Sequence, residues 1–185
     1  MIITPAKLAD VPRLVQFRVD AAAWLAPLGT DQWSTPFPSD HIAASVNAGE
    51  VFLVKESEEG EAVATVTLDH RIDPEIWDLW TPEERAEPAL YVHKLTVDRR
   101  YGGRDLGGQI LDWAGDLAAR QGARWLRLDA WTSNSKLHRY YLLHGFQHVR
   151  TTTDPDEVSG WLAQRPARLT RHAFDDHAVA AVRSH

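Results

Sequence analysis

The sequence predicts an α/β domain in which a β-sheet is flanked by helices. Its 185 residues, 44% of them hydrophobic, match the size of one compact domain, and we expect residues 1–185 to form it. Segments rich in β-branched residues alternate with segments of helical periodicity along the chain. Between residues 90 and 146 the order is strand, helix, strand, helix, which predicts that the two strands are parallel.

The N-terminal segment is predicted to contain one strand and two helices. A strand over residues 1–4 precedes a helix over 6–24. Apolar residues recur on one face of this helix and are expected to pack in the core: Leu8, Val11, Leu14, Val15, Val19 and Ala22. A second helix over 40–48 ends at Gly49, which can adopt the left-handed conformation common at a helix terminus.

A hairpin and a polar insert follow. Strands over 51–56 and 62–70 are separated by a short polar turn, and the order Thr81-Pro82-Glu83-Glu84 predicts a capping box at the start of a helix. The acids in and next to the insert outnumber its two arginines; they are Asp69, Asp73, Glu75, Asp78, Glu83, Glu84 and Glu87. A solvated acidic helix is the favoured interpretation, and attraction of a cationic amine is the alternative. Trp77 and Trp80 leave protein interaction as a third hypothesis.

The remaining elements are read from periodicity and turn residues. They are a strand over 90–97, a helix over 106–121, a strand over 125–130, a helix over 135–144, a strand over 146–152, a loop or short helix over 154–164 and a final strand over 167–174.

Composition excludes several classes of function. The net charge is −6 and the basic residues are scattered, which argues against nucleic acid as a partner. The chain has no cysteine, so disulfides, a cysteine nucleophile and zinc–thiolate sites are excluded. No stretch approaches the roughly 20 apolar residues of a membrane span. We expect a cytoplasmic protein without a membrane partner, and the oligomeric state, monomer or homodimer, is left open.

Two segments carry a specific resemblance. VDRRYGGRDLGGQILDWA begins at Val97, and RLDAWTSNSKLHRYYLLHGF ends at Phe146. Together with the order of elements they resemble the signature segments of the GCN5-related N-acetyltransferase (GNAT) superfamily. The resemblance implies a mixed, mainly antiparallel sheet of six or seven strands flanked by about four helices. It also implies acetyl-CoA as donor and an amine as acceptor, either a small molecule or a peptide.

The first segment is the expected phosphate-binding turn. A strand that leads through a glycine turn into a helix exposes backbone N–H groups beside the positive end of the helix dipole. Gly107 matches the end of the family pattern, whereas Gly102 replaces its usual Arg or Gln and Asp105 replaces its usual Gly. Asp105 places a negative charge near the diphosphate. The expected coenzyme A contacts are Leu95, Thr96, Val97, Arg100, Gly102, Gly103, Arg104, Asp105, Leu106, Gly107, Gly108, Asn134, Leu137 and Tyr141.

The resemblance makes Tyr141 the proton donor to the coenzyme A thiolate, with Asn134 beside the pantetheine arm. A phenol, with a pKa near 10, is a reasonable proton source for a thiolate. Tyr140 is expected to pack against the sheet instead.

His93 is the candidate general base. An amine is protonated at neutral pH and must lose a proton before it attacks a thioester. Strand alternation puts His93 on one face with Tyr91, Leu95 and Val97, and an imidazole with a pKa near 6.5 suits proton removal. A structural histidine is the alternative, and Asp129 and His138 are weaker candidates.

The acceptor pocket is the least defined part of the prediction. The family builds it from its first helices and nearby loops, so Trp24, Trp33, Phe37 and Asp129 are the candidates for acceptor contact. Histidine spacing at 138, 144 and 148 does not favour a metal site, and no metal is predicted. We therefore predict direct transfer of an acetyl group to a primary amine. A non-catalytic acyl-CoA-binding module of the same fold is the alternative.

Overall fold

A computed structural model describes residues 1–28, 38–154 and 156–178. Within them the chain forms eight strands and five α-helices. The strands are β1 (Ile2–Pro5), β2 (Val51–Lys55), β3 (Ala62–Asp69), β4 (Ala89–Val97), β5 (Trp125–Ala130), β6 (Gln147–Thr151), β7 (Trp161–Pro166) and β8 (Asp175–Asp176). The α-helices are α1 (Val11–Leu25), α2 (Ser39–Asn47), α3 (Pro82–Ala86), α4 (Leu106–Arg120) and α5 (Ser135–Leu143). None of the described helices is long and apolar enough to cross a membrane.

The strands are ordered β6-β7-β5-β4-β3-β2-β1-β8. β2 pairs antiparallel with β1 and β3, and β7 pairs antiparallel with β5 and β6. β4 and β5 are parallel, with Leu90 opposite Leu126, as the β-α-β order predicts. The sheet is therefore mixed and mostly antiparallel, as expected, but it has eight strands in the described residues, where six or seven were predicted.

The chain divides into two compact units, and each is made of separate segments. The first unit contains Met1–Thr67, Lys94–Gln109 and the chain from Ala173. The second contains Leu68–His93 and Ile110–His172. The assignment of one domain to residues 1–185 stays a prediction.

Helix α1 packs on β2 in the first unit with part of the predicted face. Leu14 and Phe17 are buried in a cluster with Val46 and Leu53, whereas Leu8 and Val19 are each 54% exposed. Val11 also packs against this cluster, so Val11 and Leu14 of the predicted face are confirmed. Leu8 and Val19 were predicted wrongly; Leu8 lies in a separate 3₁₀ turn, Leu8–Asp10, and the α-helix begins only at Val11.

The polar insert contains a 3₁₀ helix (Pro74–Leu79) and α3. The predicted capping box is confirmed: the Glu84 backbone N–H donates to the Thr81 hydroxyl at 3.3 Å, and the Thr81 N–H donates to the Glu84 carboxylate at 2.8 Å. This short helix is thus fixed at its N-terminus by local sequence.

The predicted loop is confirmed for residues 154 and 156–160, but the prediction for residues 161–174 was wrong. β7 begins at Trp161 and lies between β5 and β6, and Trp161, Leu162 and Ala163 are buried. Consecutive residues of a strand point to opposite faces of the sheet, so the burial of these three shows that both faces are covered here, and the sequence lacks the alternation that identifies an amphipathic strand. The predicted strand over 167–174 is absent from the described structure, and only the two-residue β8 follows it, parallel to β1.

A fully buried guanidinium holds the insert in the second unit. Arg127 on β5 is 0% exposed and donates to the Glu84 carbonyl at 2.6 Å and to the Glu87 carboxylate at 3.2 Å. It also donates to the Tyr91 hydroxyl at 3.1 Å and to the Gln164 side chain at 3.0 Å. Its guanidinium carbon lies 4.5 Å from the ring centroid of the buried Trp80. Such a charge is tolerated only because its donors are satisfied inside the protein.

We expect Arg127→Met to lower the free energy of unfolding by about 3 kcal/mol or more, because it breaks a buried ion pair and leaves several acceptors without a donor. Urea denaturation followed by circular dichroism measures this. Arg124→Met is the matched control: Arg124 pairs with the same Glu87 at 2.8 Å, but its side chain is 66% exposed, so its loss should cost less than about 1 kcal/mol. Equal losses in the two variants would contradict a structural role for the buried guanidinium.

Candidate active site

Two carboxylates flank His93, which is the last residue of β4 that belongs to the second unit. The His93 Nε2 atom lies 3.6 Å from an Asp69 oxygen, and its Nδ1 atom lies 3.9 Å from an Asp129 oxygen. The three side chains are only 15% to 19% exposed. The two ring nitrogens therefore each face an acid in a partly desolvated setting, which favours proton exchange at the imidazole.

Surroundings push the pKa values of the two acids in opposite directions. Burial acts to raise the pKa of Asp69, but hydrogen bonding to His93, the charge on His93 and the Arg71 backbone together lower it below its usual value. Burial raises the pKa of Asp129 to about 6, with Asp73 adding to the rise and His93 opposing it. Asp69 is thus the fixed anion of the cluster, and Asp129 titrates close to neutral pH.

Tyr91 orients the imidazole from the same strand. The two rings are stacked with centroids 6.4 Å apart and an angle of 19° between their planes. The Tyr91 hydroxyl in turn accepts the Arg127 hydrogen bond, and burial raises the Tyr91 pKa. The buried guanidinium therefore supports the position of His93 through Tyr91.

Tyr141 is buried on α5. Its ring lies 5.7 Å from that of Phe146 and 6.5 Å from that of Trp161, between centroids. Burial raises the pKa of the phenol well above its usual value, and the charges of Asp129 and Tyr140 add to the effect. The hydroxyl therefore keeps its proton at every working pH.

The start of α5 is set by Asn134, whose side chain accepts the Leu137 backbone N–H at 3.1 Å. This N-cap fixes the first turn of the helix that carries Tyr141. Tyr140 packs against Tyr141 and His144, with ring centroids 5.8 and 4.5 Å away.

The glycine turn of the first unit leads from β4 into α4. Asp98 caps a 3₁₀ turn at Arg99–Tyr101, and Gly103 and Asp105 both have positive φ, +77° and +52°. Positive φ strains a residue that has a Cβ, which explains why a glycine suits the position of Asp105. Aspartate tolerates this conformation better than most other residues. Leu106, Gly107 and Gly108 open α4, and the backbone N–H groups in the first turn of an α-helix lack an acceptor within the helix.

The basic residues of the turn already have contacts. Arg100 pairs with Asp98 at 2.7 Å and with Glu61 at 3.4 Å, and Arg104 lies over the ring of Tyr101. Arg99 lies 3.9 Å above the ring of Trp24. Trp24, a predicted acceptor contact, is half-exposed beside the turn. The other two aromatic residues predicted to contact the acceptor, Trp33 and Phe37, lie outside the described residues.

His138, a weaker candidate base, has a structural setting. Its ring stacks on Trp161 with centroids 4.2 Å apart, and its Nε2 atom lies 3.0 Å from the Trp131 carbonyl oxygen. Burial lowers its pKa. In the described part of the chain, no three His, Asp or Glu side chains are arranged to hold a metal ion, and the absence of a metal stays a prediction.

Sequence reasoning selected His93 and Asp129, and the structure brings them together. It did not select Asp69 for the site, because that residue was grouped with the acids of the insert. The strand register contained the signal: Asp69 ends β3, and β3 is the neighbour of β4 in the sheet.

The sequence matches the model of the acetyltransferase (GNAT) family over residues 18–146. It is 31% identical to YesJ of Bacillus subtilis (strain 168), described as an uncharacterized N-acetyltransferase, over 78% of this chain and 81% of that protein. A GNAT-family acetyltransferase from Listeria monocytogenes 4b F2365 has a similar structure, with a TM-score of 0.75 and 26% identity over 89% of this chain and 94% of that one. PaiA N-acetyltransferase from Thermoplasma acidophilum, solved in complex with coenzyme A, shares the fold with a TM-score of 0.65 and 12% identity, over 89% and 97%.

We expect Asp129→Asn to stabilise the fold at pH 8. The Asp129 pKa is about 6 when folded and about 3.9 when unfolded, so ionisation above pH 6 costs stability that is fully retained below about pH 4. The free energy of unfolding of the wild type should therefore fall between pH 4 and pH 6, by up to about 3 kcal/mol from this group. Urea denaturation at a series of pH values should show a smaller fall in the variant. Identical curves would contradict the raised pKa.

Proposed function

The chain belongs to the acetyltransferase (GNAT) family and is an N-acetyltransferase; from this premise we propose that it transfers the acetyl group of acetyl-CoA directly to a primary amine, with His93 as the general base. The placement of His93 between Asp69 and Asp129 carries the proposal. The chain has no cysteine, so no thiol of this protein is available to carry the acetyl group.

The donor is proposed to bind at the glycine turn. The open N–H groups of Leu106, Gly107 and Gly108 would hold the diphosphate at the positive end of α4, a 15-residue helix. Relatives of the family that bind coenzyme A, such as PaiA N-acetyltransferase, support this donor. Leu95, Thr96 and Val97, which lead into the turn, are proposed to pair with the pantetheine amides.

Proton removal is proposed to occur at Nδ1 of His93. Ionised Asp69 would accept the Nε2–H, because its low pKa keeps it charged, and this tautomer carries the ring lone pair on Nδ1, which faces Asp129. Nδ1 takes a proton from the substrate ammonium, directly or through water. The neutral amine nitrogen then attacks the acetyl carbonyl carbon, the C–S bond breaks with its electron pair leaving on the coenzyme A sulfur, and the nitrogen of the new amide loses its second proton to solvent. Asp129 stabilises the resulting imidazolium.

Tyr141 is proposed to stabilise the departing thiolate. Burial raises the pKa of the Tyr141 phenol, so the group keeps its proton before the thiolate develops. A hydroxyl that donates a hydrogen bond to the sulfur lowers the free energy of a developing anion in a dry site. Transfer of that proton to the sulfur, which the sequence analysis expects, stays a prediction.

We expect His93→Ala to lower kcat by roughly 10²–10⁴-fold with little change in acetyl-CoA affinity, because a general base acts on the chemical step. Coenzyme A release with a primary amine taken from a screened panel measures kcat, and isothermal titration measures donor affinity. Tyr141→Phe should lower kcat by a smaller factor, on the order of 10-fold or more. His177→Ala, outside the cluster, and Tyr140→Phe, which alters the neighbouring ring, are the matched controls. Full activity of His93→Ala would refute the proposed base.

We expect Asp105→Asn to bind acetyl-CoA several-fold more tightly than the wild type, because it removes a negative charge beside the proposed diphosphate site and keeps a residue that tolerates positive φ. The gain should shrink at high salt. Asp78→Asn, whose side chain is 99% exposed on the insert, controls for the change in net charge. Equal affinities of the wild type and Asp105→Asn would place the diphosphate elsewhere, and no binding of acetyl-CoA by the wild type at millimolar concentration would overturn the donor assignment.

A further inference from the structure

The first unit contains a cavity whose lining residues, apart from Thr96, have no role in the proposed mechanism. It is open to solvent, and about 480 Å³ of non-atom space lies between its walls, a figure that includes the solvent at its mouth. The cavity is lined by residues of α1, α2, β2, β3 and β4: Leu14, Phe17, Arg18, Ile42, Ser45, Val51, Thr65, Thr67, Lys94 and Thr96.

The walls of the cavity are apolar on the side of the helices. Leu14 and Phe17 of α1 and Val51 of β2 are buried members of the core cluster, and Ile42 of α2 packs against that cluster. These side chains belong to the packed core, so the wall keeps its shape without a ligand. An aliphatic or aromatic group of modest size fits such a surface.

Hydroxyl groups line the strand side of the cavity. Thr65 and Thr67 point into it from the same face of β3 and are each only 7% exposed. The Thr65 hydroxyl donates to the Phe52 carbonyl at 3.1 Å, and the Thr96 hydroxyl donates to the Lys94 carbonyl at 3.2 Å. Their oxygen lone pairs remain suited to accept, and the Thr67 hydroxyl can donate to a ligand.

The charged groups of the cavity share one sign. Arg18 comes from α1 and Lys94 from β4, and no acid is among the ten described residues that line the cavity. Arg18 is half-buried, and burial lowers its pKa, but a guanidinium stays charged at any physiological pH. A cationic ligand would therefore be repelled, whereas a carboxylate would be attracted and could accept two hydrogen bonds from the guanidinium fork.

We propose that this cavity binds the acceptor through a carboxylate at Arg18 and Lys94 and an apolar group against Leu14, Phe17 and Ile42, so that the acceptor is an apolar amine that also carries a carboxylate. The inference rests on the proposed amine acetylation and adds the class of substrate. Lys94 directly follows the proposed base, His93, in the chain. The left-handed backbone of Lys94, with φ of +53°, is an uncommon conformation for a lysine, and such strain is often retained at functional positions.

The test compares apolar amino acids with their amides. Leucine, methionine and phenylalanine are assayed beside leucinamide, methioninamide and phenylalaninamide, with spermidine as a polyamine, by coenzyme A release and by isothermal titration. Each amide keeps the amine and the apolar side chain and lacks only the carboxylate. We expect at least one amino acid to bind at least 10-fold more tightly and to react with at least 10-fold higher kcat/KM than its amide, and spermidine to be a poor substrate.

Variants of the cavity lining test whether the preference for an amino acid over its amide arises in the cavity. Arg18→Met should reduce the ratio of amino acid to amide kcat/KM by 10-fold or more, and Arg18→Lys should restore part of it. Thermal unfolding of both variants checks that they are folded. Lys7→Met is the matched control, since Lys7 is an exposed cation of the same unit and is not part of the cavity lining. Its ratio should equal that of the wild type.

Two results would overturn the inference. One is that no amino acid of the panel binds more tightly than its amide, and the other is that Arg18→Met leaves the ratio unchanged. If either result is found and spermidine or the amides are acetylated efficiently, the proposed amine acetylation is supported and only the proposed carboxylate site is refuted. If acetyl-CoA binds and none of the amines is acetylated, binding of the amino acids still decides the carboxylate site, and the proposed transfer is what fails.

Discussion

The position of the insert in the second unit depends on one buried charge. Arg127 has no access to water, so every N–H of its guanidinium requires an acceptor within the protein. The acceptors come from β4, β7 and the insert, and Trp80 closes one face of the group. A sequence that changed any of these segments would leave either the cation or its acceptors unsatisfied. The long insert is therefore bound to the sheet by a requirement for charge satisfaction as well as by apolar packing.

The buried Arg127 also affects the position of His93, the candidate base. Tyr91 accepts from Arg127, and its ring stacks on that of His93. The imidazole is thus held between a ring on one strand and acids at the ends of two others. The price of this arrangement is the burial of Asp129, whose ionisation destabilises the fold at the pH at which the site would work. Such a conflict between stability and proton chemistry is common in catalytic sites.

The distribution of charge bears on the acceptor. The acids of the insert suggested attraction of a cationic amine, but several of them have internal partners: Glu84 pairs with Arg150 at 2.7 Å, Glu87 with Arg124 and Arg127, and Asp69 with His93. Asp78 is fully exposed, although it also lies 3.6 Å from the Arg85 guanidinium. The cavity of the first unit carries the opposite charge. The number of acids in the insert is therefore a poor guide to its attraction for a cation, because several of these acids are already paired with basic residues of the protein.

The sequence by itself determined the order of elements as far as β6, the parallel β4–β5 pair, the capping box at Thr81 and the family, because each depends on residues within one turn, one helix or one β-α-β unit. Strand alternation also selected His93, and the family resemblance selected Tyr141. Only the tertiary structure decided that Asp69 and Asp129 meet at His93, that Trp161 begins a central strand, and that Arg127 is fully buried. These features depend on strand register and on burial by distant segments, and neither leaves a periodic signal in the local sequence.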